Sequence, residues 1–363
     1  MPIAVAGGRK EALLALGAKR SEEPYSRDDQ ELLVAIAASL AFLLEKPPAF
    51  PARREEPFEE CPACGACYDT GTGTCPREGA ALVLAPLPRL LAGRYRLERR
   101  VGRGGMGTVY EAIDTALGRR VAAKLIREDG LERAEATERF RREARAAAAF
   151  AHPNVVTVHD FGVAGGRPFL VMELLEGRSL RDELRLATRL APSRTVEILC
   201  GVCAAVEAAH RRELVHRDLK PENIFLARGE TGEVVKVLDF GVAKLLAPGS
   251  VSSAETATGA LVGTLRYMSP EQLRGGAVQP SWDLWALAVV AYEMLTGSLP
   301  FPGRTVADWQ EAVLAARFNP VAAHRPDAPA PWQRFFERAF ALEVGRRPAS
   351  ASGFLSELTR ALA

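Results

Sequence analysis

From Arg94 onward the chain first alternates apolar and polar residues in short runs and then passes to mostly helical patterns. That order predicts a β-rich stretch leading into a helical one. Alternating runs flank VGRGGMGTVYEA on both sides and predict a hairpin there; VAAK belongs to the next strand, and VTVHDFG leads through Gly165-Gly166 into another, PFLVME. ERFRREARAAAAF is helical, and so is the run holding Cys200 and Cys203, which are assigned to core packing. Upstream, Ala12–Leu16 is strand-like, and Leu32, Leu33, Ile36, Leu40, Leu43 and Leu44 recur at helical spacing behind a capping-box pair, Ser26 and Asp29. One strand and one helix cannot bury a core by themselves. The longest apolar stretches, Val34–Leu44 and Leu284–Leu295, fall short of the ~20 residues needed to cross a bilayer and are expected as packed helices.

Composition adds boundaries. Residues 46–60 are rich in Pro and charge and read as a linker, 61–80 form a compact cysteine segment, and 81–92 form a second connector. With 363 residues the chain suits one large domain with appendages. A net charge of +2 gives no reason to expect nucleic acid as a partner. The N-terminus lacks the pattern of an export signal, so the expected location is cytoplasmic and the six cysteines are expected reduced, favouring metal or burial over disulfides.

The chemistry lies in a few short motifs. Gly102, Gly104 and Gly107 are spaced G-x-G-x-x-G, with Val109 two residues on. On a hairpin, such glycines let backbone N–H groups approach phosphates without a side chain in the way. HRDLKPEN, His216–Asn223, is the strongest signal. Asp218 is the expected base that orients a hydroxyl and accepts its proton, Lys220 neutralises charge on a phosphate in transfer, and Asn223 offers a hard oxygen to Mg²⁺. Asp239 in VLDFG supplies the other Mg²⁺ ligand. A second such tripeptide, Asp160-Phe161-Gly162, precedes HRDLKPEN and is expected at a hairpin with no metal role.

Over about residues 93–362 these motifs resemble the protein-kinase superfamily, most closely bacterial eukaryotic-like serine/threonine kinases. His152-Pro153-Asn154, Met172–Leu175, Ser269-Pro270-Glu271, Asp283 with Trp285, and Arg347 fit the same resemblance. It implies an α+β, bilobal fold, with an antiparallel β-rich N-lobe (93–172), a hinge (173–175) and a helical C-lobe (176–362). It implies ATP with Mg²⁺ or Mn²⁺, and protein substrates bearing Ser or Thr. Lys124 would grip the α- and β-phosphates and Glu143 would hold that lysine. Ala122 and Phe225 would sandwich adenine, while backbone groups of the hinge around Glu173 and Leu175 would hydrogen-bond it. Thr258, then Thr256, would be autophosphorylated and paired with Arg217, whereas Thr264 would bond Asp218 and Lys220. Ala288, Ser269 and Ala123 depart from the family pattern at positions that bear on packing. A catalytically inactive scaffold is the alternative; such proteins usually lack the lysine, the base or the metal aspartate, and this chain has all three.

Residues 1–45 resemble the last strand and closing helix of a GAF sensor domain, so the front 92 residues are expected to sense or to dimerise. Cys61-Pro-Ala-Cys64-Gly and Cys75-Pro-Arg-Glu78-Gly look like two copies of one turn, similar to a zinc-ribbon knuckle. Cys61, Cys64 and Cys75 are the expected Zn²⁺ ligands, with Glu78 or Cys67 as the fourth.

Overall fold

The computed structural model describes residues 2–4, 10–13, 56–104, 107–126, 150–230, 232–240 and 265–363. They fall into two compact units, Met1–Glu56 and Pro57–Ala363. In the first, strand β1 (Pro2–Ala4) pairs antiparallel with β2 (Lys10–Leu13), which meets the expected Ala12–Leu16 strand at Ala12 and Leu13. The helix expected over 32–44 and its capping pair lie outside the described residues. So do Glu143, Thr256, Thr258 and Thr264.

The second unit opens with a small sheet of order β4-β3-β5, made by β3 (Pro57–Glu60), β4 (Cys67–Asp69) and β5 (Val83–Pro88). Two of these strands, β3 and β5, lie where connectors were expected. The reason is tertiary: Phe58 and Leu87 are buried in a cluster with Tyr95, Leu97, Tyr110, Val121, Ala123 and Leu125 of the next sheet. Segments poor in intrinsic strand preference are thus held extended by pairing and by burial.

That next sheet has six antiparallel strands in the order β10-β11-β9-β8-β7-β6: β6 (Leu90–Leu91), β7 (Tyr95–Gly104), β8 (Gly107–Asp114), β9 (Arg119–Ile126), β10 (Val158–Ala164) and β11 (Arg167–Glu173). The period-2 rule assigns its two faces. Val121, Ala123 and Leu125 face the cysteine module, and Ala122 and Lys124 face the other way, where Ala122 clusters with Val156, Met172 and Val109. The departure at Ala123 makes sense here: its small side chain is fully buried under the module. Asp160-Phe161-Gly162 lies in β10 of the β10–β11 hairpin, where Asp160 accepts the Tyr95 hydroxyl at 2.5 Å.

The remainder is largely helical: α1 (Leu180–Ala187), α2 (Pro192–His210), α3 (Pro270–Leu273), α4 (Ser281–Thr296), α5 (Val306–Leu314), α6 (Val321–His324), α7 (Ala330–Ala339) and α8 (Ala351–Leu362). A small sheet of β12 (Gly177–Ser179), β13 (Ile224–Gly229) and β14 (Gly232–Val237) is inserted among them. Helix α4 is buried along its whole length, as its largely apolar run requires, with Asp283 and Glu293 taking hydrogen-bond partners. Its Trp285 ring stacks on Phe301 at 5.3 Å, and Tyr292 meets Phe336 edge-on at 5.1 Å. Cys203 is buried on α2 as expected, but Cys200 is exposed. Three residues apart on a helix, the two side chains differ in direction by about 60°, and Cys200 falls just past the edge of the buried stripe that holds Cys203. Among the described residues no helix is long and apolar enough to cross a membrane.

Candidate active site

The β7–β8 hairpin closes with Gly104 opposite Gly107. Gly107 has φ +154°, and a Cβ there would fall 2.1 Å from the Leu125 carbonyl oxygen, so no other residue fits without moving β9. Between Arg100 and Gly102 the β7–β8 register shifts, leaving Val101 as an exposed bulge residue just before the glycines. Val109 pairs with Lys124 across β8–β9, so the glycine hairpin and the lysine share one wall.

Lys124 is buried, and its Nζ donates to Asp239 Oδ2 at 2.5 Å. Burying either charge alone would be costly, so the pair is retained together. Asp239 takes the left-handed conformation, φ +56°, just past the end of β14. Next to it the Phe240 ring packs against His216 at 4.7 Å and Phe150 at 5.5 Å. Those contacts tie the Asp239 segment to the loop that carries the candidate base.

That loop is fixed from several sides. Asp283, in the first turn of α4 and 1% exposed, accepts the backbone N–H of His216 at 2.8 Å and of Arg217 at 2.9 Å, and lies 2.7 Å from His210 Nε2. Arg217 holds φ +68°, a conformation unusual for a side chain of its size, and Gln272 donates to its carbonyl at 3.0 Å. His216 Nε2 lies 2.8 Å from the Leu238 carbonyl, and the Leu238 N–H donates to the Asn223 carbonyl at 2.8 Å. The loop and the segment that runs from β14 to Asp239 are therefore one hydrogen-bonded unit.

Within it, Lys220 Nζ donates to Asp218 Oδ2 at 2.9 Å. Asn223 Nδ2 donates to the Asp218 carbonyl at 2.8 Å and lies 3.3 Å from its Oδ2. That orientation commits the amide nitrogen and leaves Asn223 Oδ1 as the atom for a cation, which fits a Mg²⁺ ligand with Asp239 as the second oxygen donor. Ala122, Val156, Met172, Val109, Leu174, Leu175 and Leu238 form an apolar cluster suited to a flat heterocycle, and Phe225 is half-buried on β13. The Glu173 carboxylate is engaged elsewhere, accepting from Lys236 Nζ at 2.8 Å and the Thr157 N–H at 2.7 Å. Burial works to raise its pKa, but those two donors outweigh burial and hold it below the usual range.

One support, Arg181, had no signal in the motifs; a second, the pairing of Arg347 with Glu271, is the one the family resemblance implies. Arg181 on α1 donates to Glu222 at 2.8 Å, to Glu293 at 2.6 Å and to the Tyr267 hydroxyl at 2.5 Å, linking the HRDLKPEN loop to α4 and to the segment before α3. Arg347, almost fully buried, forks onto Glu271 at 2.6 and 3.1 Å. Ser269, where the family pattern has another residue, caps α3 by accepting the Gln272 N–H at 3.1 Å.

The cysteine turns form a second cluster. The thiols of Cys61, Cys64 and Cys75 lie within 4.8 Å of one another, with Cys64 and Cys75 sulfurs 3.8 Å apart. The two turns repeat one hydrogen-bond pattern: Cys61 N–H to Ala66 O with Gly65 N–H to Cys61 O, and Cys75 N–H to Ala80 O with Gly79 N–H to Cys75 O. Both glycines are left-handed, φ +74° and +67°. The Tyr68 hydroxyl, 3.5 Å from Cys75 Sγ, and then the N–H groups of Arg77 and Glu78 pull that thiol down to about 7. Cys67 is not part of the cluster. Strand alternation in β4 turns it into the buried face under the six-stranded sheet, where its Sγ lies 3.6 Å from the Gly65 carbonyl and burial pushes the thiol up to about 12. Glu78 occupies the place of Cys64 in the second turn and is exposed, outside the three-sulfur group.

Residues 95–358 match the family model described as the protein kinase domain. The serine/threonine-protein kinase Pkn1 of Myxococcus xanthus is 39% identical over 314 residues, which cover 86% of this chain and 45% of that protein. PknA of Mycobacterium tuberculosis is 42% identical over 218 residues, 59% of this chain and 49% of that one. The chain thus spans less than half the length of either relative. Among solved structures, the M. tuberculosis PknI kinase domain is 26% identical with a TM-score of 0.59, covering 75% of this chain and 97% of that one. On the family match and the cleft geometry together, the chain belongs to the protein kinase family.

Proposed function

We propose that this chain is a serine/threonine protein kinase that transfers the γ-phosphate of Mg·ATP to Ser and Thr hydroxyls of protein substrates. The carrying observation is the convergence of Lys124, Asp239, Asp218, Lys220 and Asn223 on one hydrogen-bonded unit. Lys124 holds the α- and β-phosphates, Asn223 and Asp239 hold the cation, and Lys220 offsets charge on the moving phosphoryl group. Asp218 Oδ2 receives the hydroxyl proton. The loose transition state asks for positioning more than basicity, which suits a loop clamped by Asp283. An inactive scaffold is disfavoured because lysine, base and metal aspartate are all present. Purified protein with Mg·ATP should label itself and generic Ser/Thr substrates; phosphotyrosine alone, or ATP binding without transfer, would refute the reading.

The cysteine cluster is proposed to hold one Zn²⁺ through Cys61, Cys64 and Cys75. Sulfurs at the corners of a tetrahedron with Zn–S bonds of about 2.3 Å are about 3.8 Å apart, the separation seen between Cys64 and Cys75. Glu78 remains the candidate fourth ligand, since Cys67 faces the core. Elemental analysis of protein purified without chelator should find about one zinc per chain. Phosphorylation of Thr258 or Thr256, and a regulatory role for the front residues, belong to the same proposal.

A further inference from the structure

Besides the apolar packing of Phe58, Cys67 and Leu87 on Tyr95 and Leu97, the cysteine module is hydrogen-bonded to the strand that carries the glycines. The Arg100 N–H donates to the Gly65 carbonyl at 2.7 Å, and Ala66 bridges to Arg99. Gly65 approaches so closely that a Cβ there would fall 2.7 Å from the Arg100 carbonyl oxygen. The Arg100 side chain turns back over the module, with Nη1 3.1 Å from Glu60 Oε1 and Nη2 3.3 Å from the Pro62 carbonyl. Glu60 also accepts the hydroxyl of Tyr110, the cross-strand partner of Arg100, at 2.8 Å. Arg100 is the last residue before the Val101 bulge, and Gly102 follows the bulge. A bulge sets the direction in which a strand leaves its ladder. The first cysteine turn, Cys61–Gly65, is therefore fastened to the nucleotide hairpin at the point where its direction is decided.

A turn whose thiolates share a cation has one shape, whereas without the cation the sulfurs take up protons and lose the bonds that hold them together. Resting on the reading of the cluster as a zinc site, we infer that zinc on Cys61, Cys64 and Cys75 acts through Gly65 and Arg100 to set the aim of the glycine hairpin, so that zinc and Mg·ATP bind with positive coupling. Coupling of binding is reciprocal: whatever factor zinc contributes to ATP affinity, ATP must return to zinc affinity.

The test uses the full chain. ATP affinity is measured by calorimetry with the zinc-loaded protein and after zinc removal by a chelator, and zinc affinity is measured by chelator competition with and without Mg·ATP. ATP should bind at least about fivefold more weakly without zinc, and Mg·ATP should tighten zinc by the same factor. If stripped protein loses its fold, zinc and ATP are coupled through folding itself, and the Arg100→Ala variant then decides between folding and the clamp. Arg100→Ala keeps all three thiols and should still carry about one zinc, yet the coupling factor should fall toward one. Zinc bound with no effect in either direction overturns the clamp and leaves the zinc site standing; protein that never binds zinc overturns both.

Discussion

Asp283 grips the backbone of Arg217: its Oδ1 accepts that N–H at 2.9 Å while its Oδ2 accepts the N–H of His216. A carboxylate buried at the start of α4 thus fixes the left-handed residue that immediately precedes the candidate base. Asp283→Asn keeps the size but replaces one acceptor with an N–H₂ group facing a donor. The expected cost is about 2–3 kcal/mol of stability, from a charged buried acceptor lost. Chain transfer rates should fall about 100-fold while the KM for ATP stays close to the native value, because the base is displaced and the nucleotide wall is not. Thermal melts and steady-state kinetics check this; a folded variant with native kcat would contradict the clamp.

The Arg347–Glu271 fork predicts a pH signature. Burial tends to raise the Glu271 pKa, but the guanidinium outweighs it and leaves the group below the usual carboxylate value of 4.5. A depressed folded-state pKa gives stability that is present above the unfolded value and is lost as pH falls through the folded value. Arg347→Ala leaves a half-buried carboxylate without its guanidinium and should cost about 1–3 kcal/mol at pH 7. Urea titrations should find that deficit shrinking as pH falls through the carboxylate range, where Glu271 takes up a proton and loses the charge that needed a partner. A deficit independent of pH would assign the loss to packing against Trp285, over which the guanidinium sits at 4.8 Å.

The glycine hairpin, the strand of Lys124, the HRDLKPEN loop and α4 were all legible in the sequence, because each pairs a local signal with a steep physical requirement. Gly107 tolerates no Cβ, alternation puts Ala122 and Lys124 on one face, and an apolar run as long as that of α4 reads as a buried helix. What was not legible is set by contacts distant in sequence. PFEE and VLAPLP look like connectors until Phe58 and Leu87 find the back of the larger sheet. The position of Cys67 follows from which face of β4 is covered, and spacing between cysteines carries no information on that. The bonds of Asp283 to the loop, and of Arg181 to Glu222, Tyr267 and Glu293, join residues that share no motif.

The segment between Asp239 and Glu271 contains Thr256 and Thr258, outside the described residues. A phosphothreonine brings roughly −1.5 to −2 charges and three acceptor oxygens, suited to a guanidinium such as Arg217. Mass spectrometry of active protein should find phosphate on Thr258 or Thr256. The Thr256→Ala/Thr258→Ala double variant should lose most activity toward added substrate and still bind ATP. Full activity in that variant would rule out phosphate pairing as the device that orders the loop.

The central claim rests on Asp218, whose Oδ2 accepts from Lys220 within the loop that also presents Asn223. Asp218→Asn preserves shape and replaces a proton acceptor with an amide. Its transfer rate, measured beside Mg·ATP affinity on the same protein, is the most direct test. The account predicts phosphoryl transfer reduced by ~10²–10³ or more with ATP affinity within a few fold of native. Transfer at the native rate in Asp218→Asn would contradict it.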